Sequence, residues 1–363
     1  MSNRKSTAKA LYLELLRIFA CLAVIMIHTG TLGATRVVES APGSADYYLS
    51  LLFTVYIRYA IPVFLAISGA LLLGRNDEPV RKQVIRIVRI AAVLLIFSLI
   101  YYLDGVFTAG EKIRPLAFLK MVYSSNASFV LWYLYTYLAF LISLPLLRVL
   151  AVNLSSRGFL YMFALVTLFG SLVPCLEVLI FRDRMHLNVF FNFEWMSGYP
   201  VVYPMFGYFF HNRLDPEKDV KDWWWVWPAS AAAILLTALT MHTLAGLGDG
   251  MTVRIVRSYV GRFDLLHAAS VFLLARYLCG RAKFAGWLER FIISLGSCVF
   301  GIYLIHILFM EEGRLFPVLH AALSEKGHVY GLLATILAGM LVMLVSYLIT
   351  WVIKKIPGIR KLL

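Results

Sequence analysis

The chain has 363 residues, of which 61% are hydrophobic and only 15% charged, and its mean hydropathy is +0.79. Soluble domains are closer to half apolar and a quarter charged, so this composition excludes an ordinary soluble protein and indicates a multi-pass membrane protein. The formal net charge of +14 could suit a nucleic acid, but the basic residues fall in short clusters between apolar runs. Such clusters are typical of membrane topology signals, and we expect no nucleic-acid partner.

Apolar windows long enough to cross a bilayer recur along the whole chain. About 20 helical residues cover a hydrocarbon core about 30 Å thick. Windows of this kind lie at 10–30, 50–73, 87–108, 129–149, 158–181, 199–212, 223–246, 263–280, 291–311 and 329–353. They predict an all-α, polytopic protein of about ten transmembrane helices in a single domain over 1–363. Pro200 and Pro204 shorten the sixth window, so we expect that span to tilt or to be partly discontinuous.

The distribution of lysine and arginine predicts the orientation in the membrane. An even number of spans puts both termini on one side, and the segments on that side carry more basic residues than the opposite loops. The positive-inside rule therefore places both termini in the cytoplasm. All loops are short, so any chemistry has to be carried out by the spans and their ends. The four cysteines lack the CxxC spacing of zinc sites, and we expect no metal.

The first span carries three ionisable residues, Glu14, Arg17 and His28. Arg17 and His28 are eleven residues apart, which is about three helical turns plus 20°, so they share one face and lie about 16 Å apart along the axis. Glu14 lies one turn before Arg17, at a spacing that predicts an ion pair. A charge inside a bilayer is costly, which makes these residues functional candidates. The alternative is that Glu14 and Arg17 reach the headgroups and His28 lies at the opposite interface.

Six segments resemble, in the same order, segments of the acyltransferase family 3 membrane proteins. The first, LELLRIFACLAVIMIH (13–28), contains an arginine, ten residues and a histidine, the hallmark of that family's first span. The others are IPVFLAISGALLLGR (61–75), VRKQVIRIVRI (80–90), LWYLYTYLAFLISLPLL (131–147), YPMFGYFF (203–210) and SLGSCVFGIYLIHI (294–307). Within the family, the first two segments look most like the branch that includes the enterobacterial common antigen O-acetyltransferase, although Glu14 stands where an aspartate is commoner.

The resemblance implies a membrane-embedded O-acyltransferase of the bacterial cytoplasmic membrane. Such an enzyme transfers an acyl group, usually acetyl from acetyl-CoA, to a hydroxyl of a cell-envelope glycan or lipid-linked saccharide. The resemblance further implies that His28 acts as general base or as acyl carrier, and that Arg17, held by Glu14, orients the donor. The acceptor and the choice between acetyl and succinyl stay open.

Four arginines, one in the second span and three in the basic segment that leads into the third, are candidates for binding anionic substrates. Arg81, Arg86 and Arg89 form a basic segment that suits the phosphates of CoA, and the alternative is a pure topology signal. Arg58 lies in the outer half of the second span, where it needs a partner such as a lipid-carrier phosphate, Glu177 or the outer headgroups.

Four further residues complete the candidate binding set, each with a structural alternative. Ser68 is a weak candidate nucleophile, because small residues beside a glycine more often let helices approach closely. Trp132 either stacks on a sugar or anchors the chain at the interface. Tyr303 and His306 are one turn apart and face a common pocket, unless His306 only bonds a neighbouring helix.

A transporter is the competing interpretation. Charges inside a membrane mark transport paths as readily as active sites, so a multi-pass transporter of a lipid-linked sugar or acyl group has to be considered. Transporters often contain inverted repeats with paired broken helices. The one broken segment, at Pro200 and Pro204, has no counterpart in the other half of the sequence, which favours the enzyme.

Overall fold

The computed structural model describes residues 2–75, 78–110, 112–188, 191, 198–214, 219–247, 263–281, 284–311, 314–324 and 331–363. Throughout these ranges the secondary structure is helical, without a strand, which confirms the all-α prediction. Some of the basic residues on which the predicted orientation depends, among them Arg254, Arg257 and Arg262, lie outside the described residues.

Fifteen α-helices follow one another along the described residues. They are α1 (Ser2–Ile27), α2 (Ala45–Tyr56), α3 (Ala60–Leu72), α4 (Val80–Ala109), α5 (Pro115–Ser124), α6 (Trp132–Asn153), α7 (Ser156–Thr167), α8 (Val173–Phe181), α9 (Tyr199–Tyr208), α10 (Asp219–Asp222), α11 (Val226–Ala245), α12 (Asp264–Arg281), α13 (Gly286–Ile305), α14 (Leu315–Ser324) and α15 (Gly331–Ile353). A 3₁₀ turn, Ile57–Tyr59, joins α2 to α3, and a π-helical turn, Leu168–Leu172, joins α7 to α8.

Seven helical segments of the described chain are long and apolar enough to cross a membrane. They are Ala45–Leu72, Val80–Ala109, Phe129–Asn153, Ser156–Phe181, Val226–Ala245, Gly286–Phe309 and Gly331–Ile353. The first two residues of the last predicted window, 329 and 330, lie outside the described part. The three other windows, 10–30, 199–212 and 263–280, are helical as α1, α9 and α12. The total of about ten spans and the cytoplasmic position of both termini stay predictions.

The helix at the sixth window is not broken at its prolines. Pro200 lies in the first turn of α9, where its missing N–H is harmless, and the α-helix continues through Pro204. The irregularity comes one turn after Pro204, where the helix widens into a π-helical turn, Phe209–Arg213. The discontinuity expected at the prolines therefore lies at the end of this helix.

Helix α1 lies at the centre of the bundle. It packs against α3, α12, α13 and α15. Leu16, Ala20, Cys21 and Ile25 on α1 are fully buried. Because other helices surround α1 on several sides, the side chains of Glu14 and Arg17 face neighbouring helices and a cavity between them.

Helices α3 and α9 make the most extensive helix contact of the described chain, and two glycines allow it. A Cβ atom at Gly69 would collide with the carbonyl oxygen of Pro204, and one at Gly207 with the carbonyl oxygen of Ala66. Small residues of this kind let helix backbones approach closely inside membranes. The crossing fixes α3, which also packs on α1, against the centre of the bundle.

We expect the substitution Gly69→Ala to destabilise the protein, because its new methyl group overlaps the backbone of α9. Overpacking of this kind costs about 1–3 kcal/mol, which thermal unfolding of the detergent-solubilised protein would detect. Gly105 in α4 is a matched control, since a Cβ atom there meets open space. Gly105→Ala should be neutral or stabilising by up to about 1 kcal/mol. Equal effects of the two substitutions would contradict the close crossing.

Candidate active site

The charged pair expected on α1 is present and is held by a neighbouring helix. Nη1 of Arg17 donates a hydrogen bond to Oε1 of Glu14, one turn earlier. The Glu14 side chain lies against Gly296 of α13, where a Cβ atom would collide with the carboxylate. Oε2 of Glu14 is buried and has no hydrogen-bond partner within the described chain. The position of Arg17 is therefore set by a carboxylate that α13 confines.

The side chain of Arg17 lines a large cavity whose wall contains four guanidinium groups. The cavity has a volume of about 480 Å³ and lies between α1, α3, α4, α6 and α13. Its arginines are Arg17, Arg75, Arg86 and Arg89, and we call it the arginine cavity. Apolar and aromatic side chains form the rest of its wall. A cluster of guanidinium groups beside an apolar wall suits a ligand with an anionic head and an apolar arm.

A buried carboxylate, Glu78, organises one side of this cavity. It accepts two hydrogen bonds of 2.5 Å from Arg86 and one of 2.7 Å from Arg148, and Arg75 lies 3.8 Å away. Arg148 also donates a 3.0 Å hydrogen bond to the carbonyl oxygen of Leu72. Hydrogen bonds from Arg86 and Arg148 lower the pKa of Glu78 to about 2, although burial opposes this shift. Glu78 therefore stays ionised and holds Arg86 beside the cavity.

The basic segment expected to bind the donor is only partly brought to this cavity. Arg86 and Arg89 line it, and Nε of Arg89 donates a 3.1 Å hydrogen bond to the carbonyl oxygen of Leu362. Arg81 is exposed and lies outside the lining. Ser68 lines the cavity, and its hydroxyl donates to the carbonyl oxygen of Phe64 one turn back, at 3.1 Å.

A second, smaller cavity lies at the last turn of α1. It has a volume of about 200 Å³, and its lining includes His28, Arg58, Trp132 and Tyr199. We call it the histidine cavity. The rings of Trp132 and Tyr199 meet edge-on, with their centroids 5.6 Å apart. Arg58 comes from the 3₁₀ turn before α3. Glu177, which we considered as its partner, accepts a 2.5 Å hydrogen bond from the backbone N–H of Leu187.

Hydrogen bonds assign the tautomers of two histidines in the centre of the protein. Nδ1 of His306 lies 2.7 Å from the carbonyl oxygen of Tyr303, and a carbonyl can only accept, so Nδ1 carries the proton. Nε2 of the neutral His306 ring then accepts from Nδ1 of His28, at 2.9 Å. A neutral His28 with its proton on Nδ1 keeps a free lone pair on Nε2. The pair therefore presents His28 as a base.

Tyr303 stands between the two cavities. It is part of the lining of both, and its hydroxyl donates a hydrogen bond to the carbonyl oxygen of Val130. The structure therefore brings the sequence candidates together in two neighbouring groups, which this tyrosine separates. Arg17, Ser68, Arg86 and Arg89 belong to one group. His28, Arg58 and Trp132 belong to the other, and His306 supports it through His28.

The sequence profile of acyltransferase family 3, which is described as an acyltransferase domain, matches residues 10–355. The chain belongs to this family. No curated protein and no solved structure matches the chain. Membership confirms the resemblance at the level of the family and identifies the protein as an acyltransferase whose apolar helices are those of a multi-pass membrane protein.

Three residues that organise the arginine cavity of this acyltransferase were absent from the candidates. Arg75 and Arg148 looked like topology signals in the sequence, and Glu78 follows directly after a short polar stretch. The spacing of Arg75 and Glu78 was the one available signal, because residues three apart can pair. The contact between Glu78 and Arg148 joins positions 70 residues apart, and no local pattern reveals it.

We expect Glu78→Gln to lower the free energy of unfolding by about 3–5 kcal/mol, because it leaves buried Arg148 without its counter-charge. A carboxylate with a depressed pKa stabilises the folded state above its ordinary titration range and loses this effect as pH falls through about 2. The difference in unfolding temperature between native protein and variant should therefore stay constant from about pH 5 to 8. Exposed Glu39 provides the control, Glu39→Gln. A difference that changes steeply within that range would contradict the ionised Glu78.

Proposed function

We propose that this protein is a membrane-embedded O-acyltransferase that moves a short acyl group, acetyl in the first place, from acyl-CoA to a hydroxyl of a cell-envelope glycan or lipid-linked sugar. The observation that carries the proposal is the histidine pair. His28 commits Nδ1 to His306 and keeps the lone pair of Nε2 in a cavity that adjoins a cluster of arginines. A base beside an anion-binding cavity is the combination that acyl transfer from a CoA thioester requires.

The arginine cavity suits the donor. CoA carries several phosphates, and guanidinium groups bind phosphate oxygens through paired, charge-assisted hydrogen bonds. Arg75, Arg86 and Arg89 would hold these phosphates, and Arg17, fixed by Glu14, would orient the part of the donor nearest α1. The apolar wall of the cavity offers contacts to the pantetheine arm. The predicted orientation places this cavity toward the cytoplasm, where acyl-CoA is found.

The histidine cavity suits the acceptor. Trp132 and Tyr199 offer aromatic surfaces of the kind on which sugar rings stack, and Arg58 adds a positive charge for an anionic group of the acceptor. In the predicted orientation this cavity lies toward the outer half of the bacterial cytoplasmic membrane. Within the family we propose the branch that includes the enterobacterial common antigen O-acetyltransferase, supported by the Glu14-x-x-Arg17 start and the 61–75 segment.

In the proposed reaction His28 acts as general base. Nε2 of His28 takes the proton from the acceptor hydroxyl while the hydroxyl oxygen attacks the carbonyl carbon of the thioester. The resulting oxyanion collapses, the carbon–sulfur bond breaks, and the sulfur leaves with the electron pair. The imidazolium of His28 then returns its proton to the thiolate. The products are the O-acyl ester and free CoA, and both histidines recover their starting tautomers.

Radiolabel transfer tests this function directly. Membranes that contain the native protein should move label from acetyl-CoA into the glycan fraction, and His28→Ala or Arg17→Ala should reduce the rate by about 10²-fold or more at equal protein level. His242→Ala and Arg157→Ala are matched controls, because neither residue lines the arginine cavity or the histidine cavity. Label that is equal in all membranes would overturn the proposal. Label retained on His28 in the absence of acceptor would show an acyl carrier instead of a base.

His306 orients the ring of His28 through their hydrogen bond, and two substitutions distinguish this role from a contribution to packing alone. His306→Gln keeps an oxygen that can accept from Nδ1 of His28, whereas His306→Leu keeps the volume and loses the acceptor. We expect His306→Leu to lower kcat by about 10²-fold and His306→Gln to recover much of that loss, with KM for acetyl-CoA unchanged in both. Equal activity of the two variants would show that the hydrogen bond between the histidines does not orient His28.

A further inference from the structure

Tyr303 is the one residue of the described chain that lines both the arginine cavity and the histidine cavity. It lies on α13, one turn before His306, and is 4% exposed. On one side its ring meets the ring of Tyr133, which lines the arginine cavity, with centroids 5.5 Å apart. On the other side it faces His306, at 6.0 Å. The aromatic ring therefore lies at the boundary between the two spaces.

The ring is held at its far end as well as at its backbone. The phenol hydroxyl donates to the carbonyl oxygen of Val130, which belongs to the 3₁₀ turn Phe129–Leu131 before α6. Val130 itself lines the histidine cavity and is 1% exposed. A buried phenol needs such a partner, and once the bond is made the ring cannot swing aside without leaving a buried polar group unpaired. Tyr303 is therefore a fixed but partial partition, and the two reactants have to meet beside its ring.

We infer that Tyr303 sets the length of the acyl group that this enzyme transfers. The inference rests on the proposed function and deepens it, because it names the class of donor as a short-chain acyl-CoA. The arginines that would hold the phosphates and the base that activates the acceptor lie in different cavities. The thioester must therefore come up to the partition from the arginine side, and the acceptor hydroxyl must come up to it from the histidine side.

A short acyl group ends at the partition, where both reactants meet. Each further methylene has to enter the space that the ring of Tyr303 occupies or the cavity of about 200 Å³ in which the acceptor lies. Pockets that bind drug-sized ligands have volumes of about 300–1,000 Å³. The histidine cavity is smaller than these, so it has little room for an acyl chain beside a sugar. One methylene too many in a closed pocket is worth about 10- to 200-fold in selectivity.

Non-reactive thioether analogues of acyl-CoA test this inference without turnover. We would measure Kd values of S-ethyl-CoA and S-hexyl-CoA for the full-length protein in detergent. The native protein should bind S-ethyl-CoA at least tenfold more tightly. Tyr303→Leu, which joins the two cavities, should reduce that preference about tenfold or more. Tyr303→Phe keeps the ring but loses its hydrogen bond to the carbonyl oxygen of Val130, so it should keep most of the preference.

Tyr137 provides the matched control. It lines the arginine cavity but not the histidine cavity, and its ring stacks on that of Tyr133 at 6.0 Å. Tyr137→Leu enlarges the donor space without opening the partition, so it should leave the preference for the short chain unchanged. Tyr303→Met, which replaces the ring with a flexible side chain, repeats the test should Tyr303→Leu fail to fold. Retained binding of S-ethyl-CoA shows that a variant is folded.

The outcomes separate this inference from the proposed function. If Tyr303→Leu and Tyr303→Met bind S-ethyl-CoA and keep the native preference, or if the native protein has no preference, Tyr303 does not select the acyl length. If the native protein binds neither thioether, the proposed donor is wrong and the inference falls with it. The inference is supported if Tyr303→Leu and Tyr303→Met lose the preference for S-ethyl-CoA while Tyr303→Phe and Tyr137→Leu keep it.

Discussion

An ionised side chain inside a hydrocarbon layer needs a counter-charge, a polar backbone group or water, and this need organises the polar structure of the bundle. Arg17 is satisfied by Glu14 within its own helix, and Arg148 by Glu78 and the carbonyl oxygen of Leu72. After these contacts, the side-chain charge around the arginine cavity stays positive, because its arginines outnumber the two carboxylates that face them. The same requirement that pairs buried charges therefore leaves an anion-binding surface at one place in the bundle.

Close contacts between helices fix the positions of these ion pairs. The carboxylate of Glu14 fits beside α13 only because residue 296 is glycine, and α15 approaches the same helix where Gly301 faces Thr350. The glycine crossing of α3 and α9 has the corresponding effect on the opposite wall, since α3 carries Phe64 and Ser68 into the arginine cavity. Backbone packing of this kind leaves little freedom to the side chains between the helices. The geometry of the cavities therefore depends on small residues whose effect is to let the helices approach closely.

The sequence predicted the helices well because hydrophobicity is a local property. Every apolar window is helical where the structure describes it, and the Glu14–Arg17 pair follows from helical spacing alone. Contacts between residues far apart in the sequence could not be predicted in this way. The hydrogen bond between His28 and His306 links positions 278 residues apart, and the sequence indicated only that each histidine was a candidate.

The same limit explains the residues that were missed around the arginine cavity. An arginine beside a span looks like a topology signal whether it lies exposed, as Arg81 does, or is buried against Glu78, as Arg148 is. The prolines at 200 and 204 predicted a break, but Pro200 lies in the first turn, where a helix tolerates proline, and the helix continues through Pro204. The π-helical turn after Tyr208 has no comparable marker in the sequence.

The histidine pair also explains how a base can be oriented inside an apolar bundle. A carboxylate is the usual partner that fixes the tautomer of a catalytic histidine, but an ionised carboxylate at this depth would need its own counter-charge. His306 does the same orienting with a neutral ring, and it satisfies its second nitrogen through the carbonyl oxygen of Tyr303. The arrangement avoids a buried charge in the resting state. It also lacks the negative charge that would stabilise an imidazolium, so in the proposed reaction the proton that His28 accepts has to be passed on quickly. A thiolate leaving group generated in the same active site is a suitable recipient, which makes a neutral histidine pair consistent with transfer from a thioester.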